Sequence, residues 1–260
     1  MSDDEKAALR EWIWRTLEER GVARFPRPIR GRIPNFEGAE RAAENLRRLP
    51  EYREARVIFC NPDSPQAPVR RMALADGKVV VMATPRLRRG FLVLDPREIP
   101  PSELRRAATI KGAFRYGRPV DLWSVRVDMK VVGSVAVSPD GSRLGKGHGY
   151  SDLEFAILSE VGAVTQDTPV VTTVHDLQVI DRIPFSDHDV PVDMIVTPTR
   201  IIRAPKRRKP SCVEWELLPE GALRDMPILR DIEGEEGRQG TLDERVPPPG
   251  SERRRQAGCL

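Results

Sequence analysis

Residues 131–162 read VVGSVAVSPDGSRLGKGHGYSDLEFAILSEVG: an apolar run, a glycine-rich segment and a second apolar stretch of helical length. The β-branched run over 131–138 predicts a strand, and residues 151–162 predict a helix. Strand, loop and helix in this order form the unit from which mainly parallel sheets are built. The stretch therefore predicts an α/β fold with a glycine-rich loop after a strand.

The same pattern continues along the chain in both directions. Several short apolar runs lack alternating polar residues, as expected for strands that are buried on both faces of a sheet. Strands are predicted at 55–60, 78–83, 90–95, 168–174 and 193–201. Helices are predicted at 4–20, 37–48, 65–75 and 101–108. We expect one α/β domain over residues 1–204, with a mainly parallel sheet flanked by helices.

The composition changes after residue 204. The extension over 205–232 begins with a basic, proline-bounded segment and continues with Val213, Trp215 and Leu217 in alternation, so we expect it to pack on the domain. Residues 233–260 are polar and rich in glycine and proline, which predicts a flexible tail.

Charge and hydropathy favour some classes of partner over others. No apolar run approaches the about 20 residues that a membrane helix needs, and MSDDEKAALREW at the start lacks the apolar core of a signal peptide. We therefore expect a cytoplasmic protein without a membrane partner. The net charge of +4 reflects 43 basic against 39 acidic residues. This weak excess favours an anionic small ligand and gives no strong nucleic-acid signal. No pattern predicts an oligomeric state.

The segment RLGKGHGYSD (143–152) is a candidate phosphate site. Glycines expose backbone N–H groups, and the following helix adds the positive end of its dipole. Arg143 and Lys146 add full charges, and Asp152 is placed to ligate Mg²⁺ that bridges phosphates. A tight structural turn would need the same glycines, so both interpretations stay open.

Two generic phosphate motifs do not fit this segment. A P-loop needs Ser or Thr directly after its lysine, whereas Gly147 follows Lys146. The dinucleotide fingerprint G-x-G-x-x-G fails because the spacing of Gly145, Gly147 and Gly149 is G-x-G-x-G. The loop is therefore neither a Walker motif nor a Rossmann fingerprint.

A cluster of carboxylates precedes the predicted strand at 193–201. Asp187, Asp189 and Asp193 lie there together with His188. These side chains are typical of a solvated, capped turn. The alternative is that one carboxylate completes a Mg²⁺ site with Asp152.

Three segments resemble the 5-formyltetrahydrofolate cyclo-ligase family. They are RLGKGHGYSD, HDVPVDMIVTP (188–198) and the K-x-x-L-R pattern at 6–10, in the right order over about residues 4–202. The resemblance implies an α/β fold of the ribose-phosphate-isomerase and CoA-transferase type. It also implies MgATP-dependent conversion of 5-formyltetrahydrofolate to 5,10-methenyltetrahydrofolate. In that chemistry the formyl oxygen attacks the γ-phosphoryl group, and N10 then closes the ring as phosphate leaves.

The resemblance also implies roles for individual residues. The ATP phosphates would contact Lys6, Arg10, Gly145, Gly147 and Gly149. The reacting groups would be met by Arg143, Lys146 and Tyr150. Mg²⁺ would be held by Asp152 and Asp189. Phosphoryl transfer depends on positioning and charge neutralisation, which suits this set of side chains.

The chain departs from the family at two places. Ser151 stands where the family has a second aromatic residue, and residues 60–74 (CNPDSPQAPVRRMAL) replace an aromatic–Ser…Glu segment. Polar side chains in this segment are predicted to line the pocket for a reduced folate or related pterin: Asn61, Asp63, Gln66 and Arg70. Equally, the segment is typical of a helix start capped by Asp63 or Ser64.

Residues 60–74 and 77–91 are more similar to a divergent branch, the methenyltetrahydrofolate-synthetase-domain-containing proteins. An alternative function is therefore a non-catalytic nucleotide- or RNA-binding module on the same fold, with the KRRK segment at 206–209 contributing phosphate contacts. The basic segment KGAFRYG (111–117) is predicted to be a loop that Phe114 and Tyr116 anchor.

Overall fold

The computed structural model describes residues 3–218 and 220–234. An eight-stranded sheet forms its centre, in the order β12-β11-β10-β7-β3-β4-β5-β6. The strands in chain order are β1 (Ala23–Arg24), β2 (Asn35–Phe36), β3 (Val57–Cys60), β4 (Val79–Ala83), β5 (Phe91–Leu94), β6 (Arg118–Pro119), β7 (Met129–Val132), β8 (Ala136–Val137), β9 (Arg143–Leu144), β10 (Val170–Thr173), β11 (Met194–Val196) and β12 (Ile201–Arg203). The five central strands, from β11 to β4, are parallel, and the outer strands run antiparallel to their neighbours. The predicted α/β class with a mainly parallel sheet is confirmed.

Helices cover both faces of the sheet. They are α1 (Asp3–Glu19), α2 (Ala39–Arg47), α3 (Pro50–Glu54), α4 (Ala67–Ala75), α5 (Leu104–Ala107), α6 (Ile110–Tyr116), α7 (Tyr150–Glu160) and α8 (Ala222–Asp225), followed by helical residues 227–234. One face buries Leu46 of α2 and Val69 of α4 against Ile58 and Val80 of the sheet. The other face buries Phe155 of α7. This two-sided cover explains why the central strands are apolar without alternation.

Two predicted strands are each divided into two elements. The run at 131–138 ends as β7 at Val132, and a separate hairpin of β8 and β9 follows. The run at 193–201 is β11 and then β12, which returns antiparallel after a turn. In that turn Thr197 and Arg200 exchange hydrogen bonds of 2.9 and 3.0 Å. The breaks fall at Gly133 and Ser134 in the first run and at Pro198 in the second, residue types that commonly end strands, and the predicted strands were extended across them.

The prediction of a loop at 111–117 is wrong, because these residues form helix α6. The Thr109 hydroxyl caps the helix by accepting a hydrogen bond from the Gly112 backbone N–H at 3.0 Å. A Cβ at Gly112 would lie 1.9 Å from the Arg106 carbonyl oxygen, so the glycine permits α5 and α6 to approach closely.

The segment after β12 contributes to the core. Val213, Met226 and Leu229 are buried in the same apolar cluster as Phe155 of α7, whereas Leu217 is 59% exposed. The predicted tail over 233–260 lies outside the described residues from 235 onward. The division of the chain at residue 204 stays a prediction. Within 3–218 and 220–234, no helix combines the length and the apolar character needed to cross a membrane.

Candidate functional site

The candidate site lies at the carboxyl ends of three central strands. Asn61 follows β3, Gly133 follows β7, and Thr173 ends β10. These strands are neighbours in the sheet, and the Asn61 backbone N–H donates to the Val131 carbonyl at 3.0 Å. In parallel sheets this edge is where ligands bind. The hairpin of β8 and β9 follows β7, and the glycine-rich loop (residues 145–149) connects β9 to α7.

Helix α1 closes one side of the glycine-rich loop. Its apolar residues Ile13 and Leu17 are buried in one cluster with Leu144 of β9. This packing places Arg10 and Lys6, which lie one and two turns before Ile13 in α1, beside the loop. The Arg10 Nε atom donates to the Gly145 carbonyl at 2.8 Å, and Lys6 Nζ lies 2.7 Å from Asp189 Oδ2. Lys6 and Asp189, which belong to the first and the last of the three segments that resemble the family, are therefore in contact.

The conformation of the loop requires glycine at two positions. Gly147 has φ +96°, and a Cβ there would lie 3.2 Å from Cζ of Arg10. Gly149 has φ +68° and occupies the N-cap position of α7, where a Cβ would meet open space. Positive φ is strained for residues with a side chain. The loop therefore presents bare backbone beside Arg10 and the positive end of α7.

The two predicted Mg²⁺ ligands lie on contacting segments, and each is paired with a cation. Arg143 Nη2 donates to Asp152 Oδ1 at 2.6 Å, and the Val190 N–H donates to the same oxygen at 3.1 Å. Asp189 Oδ2 accepts from Lys6 and from the Ser186 N–H at 2.8 Å. Asp152 and Asp189 therefore lie on contacting segments.

The residues present fit a magnesium-bound polyphosphate. Four cationic side chains lie on the segments that meet at the glycine-rich loop, namely Lys6, Arg10, Arg143 and Lys146. Arg143 is buried, and its Nε is a buried donor without a hydrogen-bond partner. No cluster of three or more His, Cys, Asp and Glu side chains suited to a metal occurs in the part of the chain that the structure describes. Two carboxylates suffice for Mg²⁺, which commonly keeps waters and completes its coordination with substrate phosphates.

The segment predicted to bind the substrate contacts the glycine-rich loop. Lys146 Nζ lies 3.0 Å from Asp63 Oδ1, and Ser151 Oγ lies 3.4 Å from Asn61 Oδ1. A 3₁₀ turn over Ser64–Gln66 follows and leads into α4, with Asp63 at its N-cap position. The helix start is therefore present, but the Asp63 side chain makes no capping hydrogen bond and turns to Lys146 instead.

Three of the four predicted pocket residues are buried: Asn61, Gln66 and Arg70 are 3%, 0% and 2% exposed. Arg70 is 2% exposed, and its guanidinium donates to the backbone carbonyls of Ala108 at 2.8 Å and Asp63 at 3.0 Å. Gln66 donates to Thr173 Oγ1 at 3.1 Å, while its Oε1 has no partner. As placed, Arg70 supports the backbone of the segment from inside and does not line an open pocket.

Tyr150 begins α7 and is half-buried at the edge of the loop. Its ring stacks on that of His148, with the centroids 6.4 Å apart. The two rings therefore border the loop on the side of the helix start.

A buried ion pair beneath the loop was missed by sequence reasoning. Lys130 lies in the middle of β7 and is fully buried, with Nζ 3.3 Å from Glu154 Oε2 and 3.9 Å from the Phe59 ring centroid. Burial raises the pKa of Glu154 and lowers the pKa of Lys130, and the charge of each partner opposes the effect on the other. The available signal was a lysine within the apolar run VDMKVVG, where a strand buried on both faces has no room for an unpaired charge.

The basic segment at 206–209 is largely engaged within the protein. Lys206 Nζ lies 2.6 Å from Asp167 Oδ1. The Arg207 guanidinium lies 3.6 Å from the Phe185 ring centroid. Lys209 is buried, with Nζ 2.9 Å from a carboxylate oxygen of Asp193. Asp193 is thus part of a structural pair with a buried lysine.

Comparison with known proteins identifies the family of the chain. The family model for 5-formyltetrahydrofolate cyclo-ligases matches residues 2–198. A methenyltetrahydrofolate synthase domain-containing protein from Bos taurus is 47% identical over 259 residues, which cover 95% of this chain and 68% of that protein. The Homo sapiens protein of the same name is 42% identical, over 94% of this chain and 67% of its own length.

A solved structure of Aquifex aeolicus 5,10-methenyltetrahydrofolate synthetase aligns over 78% of this chain and 95% of its own. Its sequence identity is 21%, and its TM-score is 0.48. The family model spans most of the chain, and both relatives described above exceed 40% identity over nearly all of it. The chain therefore belongs to the 5-formyltetrahydrofolate cyclo-ligase family.

Proposed function

We propose that the protein catalyses the ATP- and Mg²⁺-dependent cyclisation of 5-formyltetrahydrofolate, or of a related formylated pterin, to the 5,10-methenyl product. The observation that carries this proposal is the ion pair between Lys146 and Asp63. It joins the cradle suited to phosphate with the segment predicted to bind the pterin. A phosphoryl donor and a formylated acceptor bound to these two parts would meet at the same strand ends.

The cationic side chains and the exposed backbone of the glycine-rich loop bind the phosphates. Bound MgATP supplies the phosphoryl group that activates the formyl oxygen for loss. Lys6 and Arg10 come from α1, Arg143 from β9 and Lys146 from the loop, so they approach the cradle from different elements. Together they neutralise phosphate charge, while Gly147 and Gly149 keep side chains out of the way. Such preorganised charge is the main contribution that a protein makes to phosphoryl transfer.

The ion pairs of the site predict that metal and nucleotide bind together. Lys6 pairs with Asp189, and Arg143 pairs with Asp152. A phosphate that binds to the cations releases the carboxylates, and Mg²⁺ on the carboxylates releases the cations. Each ligand therefore removes a competitor of the other, and we expect ATP to bind weakly without Mg²⁺.

The segment over 61–66 orients the second substrate. Arg70 holds its backbone from inside the protein, and Lys146 holds the Asp63 side chain. Asp63 and Ser64 are the polar residues of this segment that remain partly exposed, and polar groups suit the ring of a reduced pterin more than an apolar ligand. Tyr150 borders the cradle and would limit the access of water to the reacting groups.

The test is turnover of the purified full chain with MgATP, with and without 5-formyltetrahydrofolate. We expect release of ADP that depends on the folate, together with formation of the methenyl product followed by its absorbance. The variant Lys146→Met should lower turnover about 100-fold. Because Lys146 is partly exposed, the substitution should leave thermal unfolding unchanged. Asp167→Asn, which removes the exposed partner of Lys206, is the matched control and should retain activity. MgATP binding without stimulation by any formylated pterin would show that the substrate is wrong. Failure to bind MgATP would overturn the whole proposal.

A further inference from the structure

Asn61 has its backbone held from both sides at the centre of the candidate site. Its N–H donates to Val131, and its carbonyl accepts from the buried guanidinium of Arg70. The side chain is 3% exposed, and its Nδ2 donates to Glu154 Oε2 at 2.6 Å. Because the backbone cannot shift, the remaining freedom of this residue is the orientation of its terminal amide.

The buried pair of Lys130 and Glu154 sets that orientation. Glu154 Oε2 accepts hydrogen bonds from both Lys130 Nζ, 3.3 Å away, and Asn61 Nδ2, 2.6 Å away. The amide of Asn61 must therefore present its NH₂ group to Glu154. Its Oδ1 then faces the opposite way, toward the Gly133 N–H and Ser151 Oγ, each 3.4 Å away.

The orientation of the Asn61 amide determines the direction in which the Ser151 hydroxyl donates its hydrogen bond. A hydroxyl can donate one hydrogen bond and accept two. Since Asn61 Oδ1 is an acceptor, the Ser151 proton points to it, and the lone pairs of Ser151 Oγ are left for other groups. Ser151 is half-buried in the first turn of α7, between Tyr150 and Asp152. Its oxygen therefore faces the site as an acceptor.

We propose that Lys130, Glu154 and Asn61 form a buried relay that fixes Ser151 Oγ as an acceptor for an N–H group of the bound pterin. The inference rests on the proposed function and extends it, because it assigns a specificity-determining residue and three positioning residues. The ligand class that fits is a reduced pterin, whose ring carries N–H donors. Ser151 stands where the family has an aromatic side chain, so this means of recognition belongs to the present chain and not to the family pattern.

The experiment measures the dissociation constants of 5-formyltetrahydrofolate and of MgATP separately. Ser151→Ala removes the acceptor and should weaken folate binding about 10-fold, with MgATP affinity changed less than about twofold. Ser159→Ala, near the other end of α7, is the matched control. The double variant Lys130→Met/Glu154→Gln removes both buried charges at similar volume. It frees the Asn61 amide to turn, and we expect the same loss of folate affinity.

A rescue variant separates positioning from a general effect on the fold. Adding Asn61→Asp to the double variant places an acceptor toward Ser151 in either orientation, because both carboxylate oxygens accept. Folate affinity should then return to within about threefold of the wild type, a recovery that lost packing does not predict. Lys209→Met/Asp193→Asn, which removes another buried lysine–carboxylate pair, should lower stability without changing folate affinity.

The outcomes are distinct. Wild-type folate affinity in folded Ser151→Ala or in the double variant overturns the relay, as does a rescue variant that does not recover. If the wild-type protein binds MgATP but no reduced folate, the proposed substrate fails first, before any variant is compared.

Discussion

Lys146 Nζ lies 3.0 Å from Asp63 Oδ1, although the two residues are 83 positions apart in the sequence. The lysine belongs to the glycine-rich loop, and the aspartate belongs to the segment after β3. Their contact makes one site of two parts that the sequence suggests separately. It also places a carboxylate in competition with any phosphate that approaches Lys146.

The variant Asp63→Asn should therefore tighten the binding of MgATP while weakening that of the folate. Pairs of this exposure contribute about 0.2–1 kcal/mol, so we expect MgATP affinity to rise up to about fivefold. Titration calorimetry of each ligand measures the two effects. Asp167→Asn, which releases Lys206 far from the loop, should change neither. Unchanged or weaker MgATP binding in Asp63→Asn would contradict the competition.

The variant Gly147→Ala should lower both stability and nucleotide affinity. The positive φ of Gly147 costs a non-glycine residue about 1–2 kcal/mol, and the new methyl group would also press on Arg10. Gly162→Ala is a close control, since Gly162 has φ +69° and open space around its Cβ position. Urea unfolding should show a loss in both variants, whereas MgATP affinity should fall only in Gly147→Ala. Equal MgATP affinities in the two variants would show that the loop is not part of the nucleotide-binding site.

The variant Arg70→Met should unfold far more easily than its neighbour Arg71→Met. Arg70 is buried and satisfies backbone carbonyls that would otherwise be unpaired, each at a cost of about 1–3 kcal/mol. Arg71 makes one contact with Glu40 near the surface, so its loss should cost less than about 1 kcal/mol. Chemical denaturation measures both values. Similar costs for the two variants would show that Arg70 is not a support of the 61–66 segment.

Stability should fall as the pH drops through the ordinary pKa of histidine because of His175. Partial burial lowers the pKa of His175 below its ordinary value of 6.5, and its neutral Nδ1 accepts the Leu177 N–H at 3.1 Å. The unfolded chain then takes up a proton near pH 6.5 that the folded chain does not, which favours unfolding at lower pH. His175→Asn keeps a capping side chain without titrating. Urea unfolding at pH 7.5 and 5.5 should show a smaller decrease in this variant, and an equal decrease would exclude His175 as the cause.

Local patterns were sufficient for the class of the fold and for the glycine-rich loop. Buried strands such as β10 and β11 are continuous apolar runs, and glycine density marks a loop whatever surrounds it. Between β7 and β8 the apolar run is interrupted only by Gly133 and Ser134, and the predicted strand was too long because it was extended across them. The helix at 110–116 was missed because its cap and its close approach to α5 depend on Thr109 and Gly112 in their tertiary setting.

The amino-acid sequence on its own determined the α/β class, the positions of most central strands, the position of the glycine-rich loop and the residue types around it. The tertiary fold determined which of those residues meet. Lys6 reaches Asp189 across 183 positions, and Arg70 turns inward although its sequence neighbours suggest a pocket. Lys130 is paired with Glu154 only because β7 and α7 pack together. Burial and ion pairing depend on distances between segments, and the periodicity of a single segment carries no such distance.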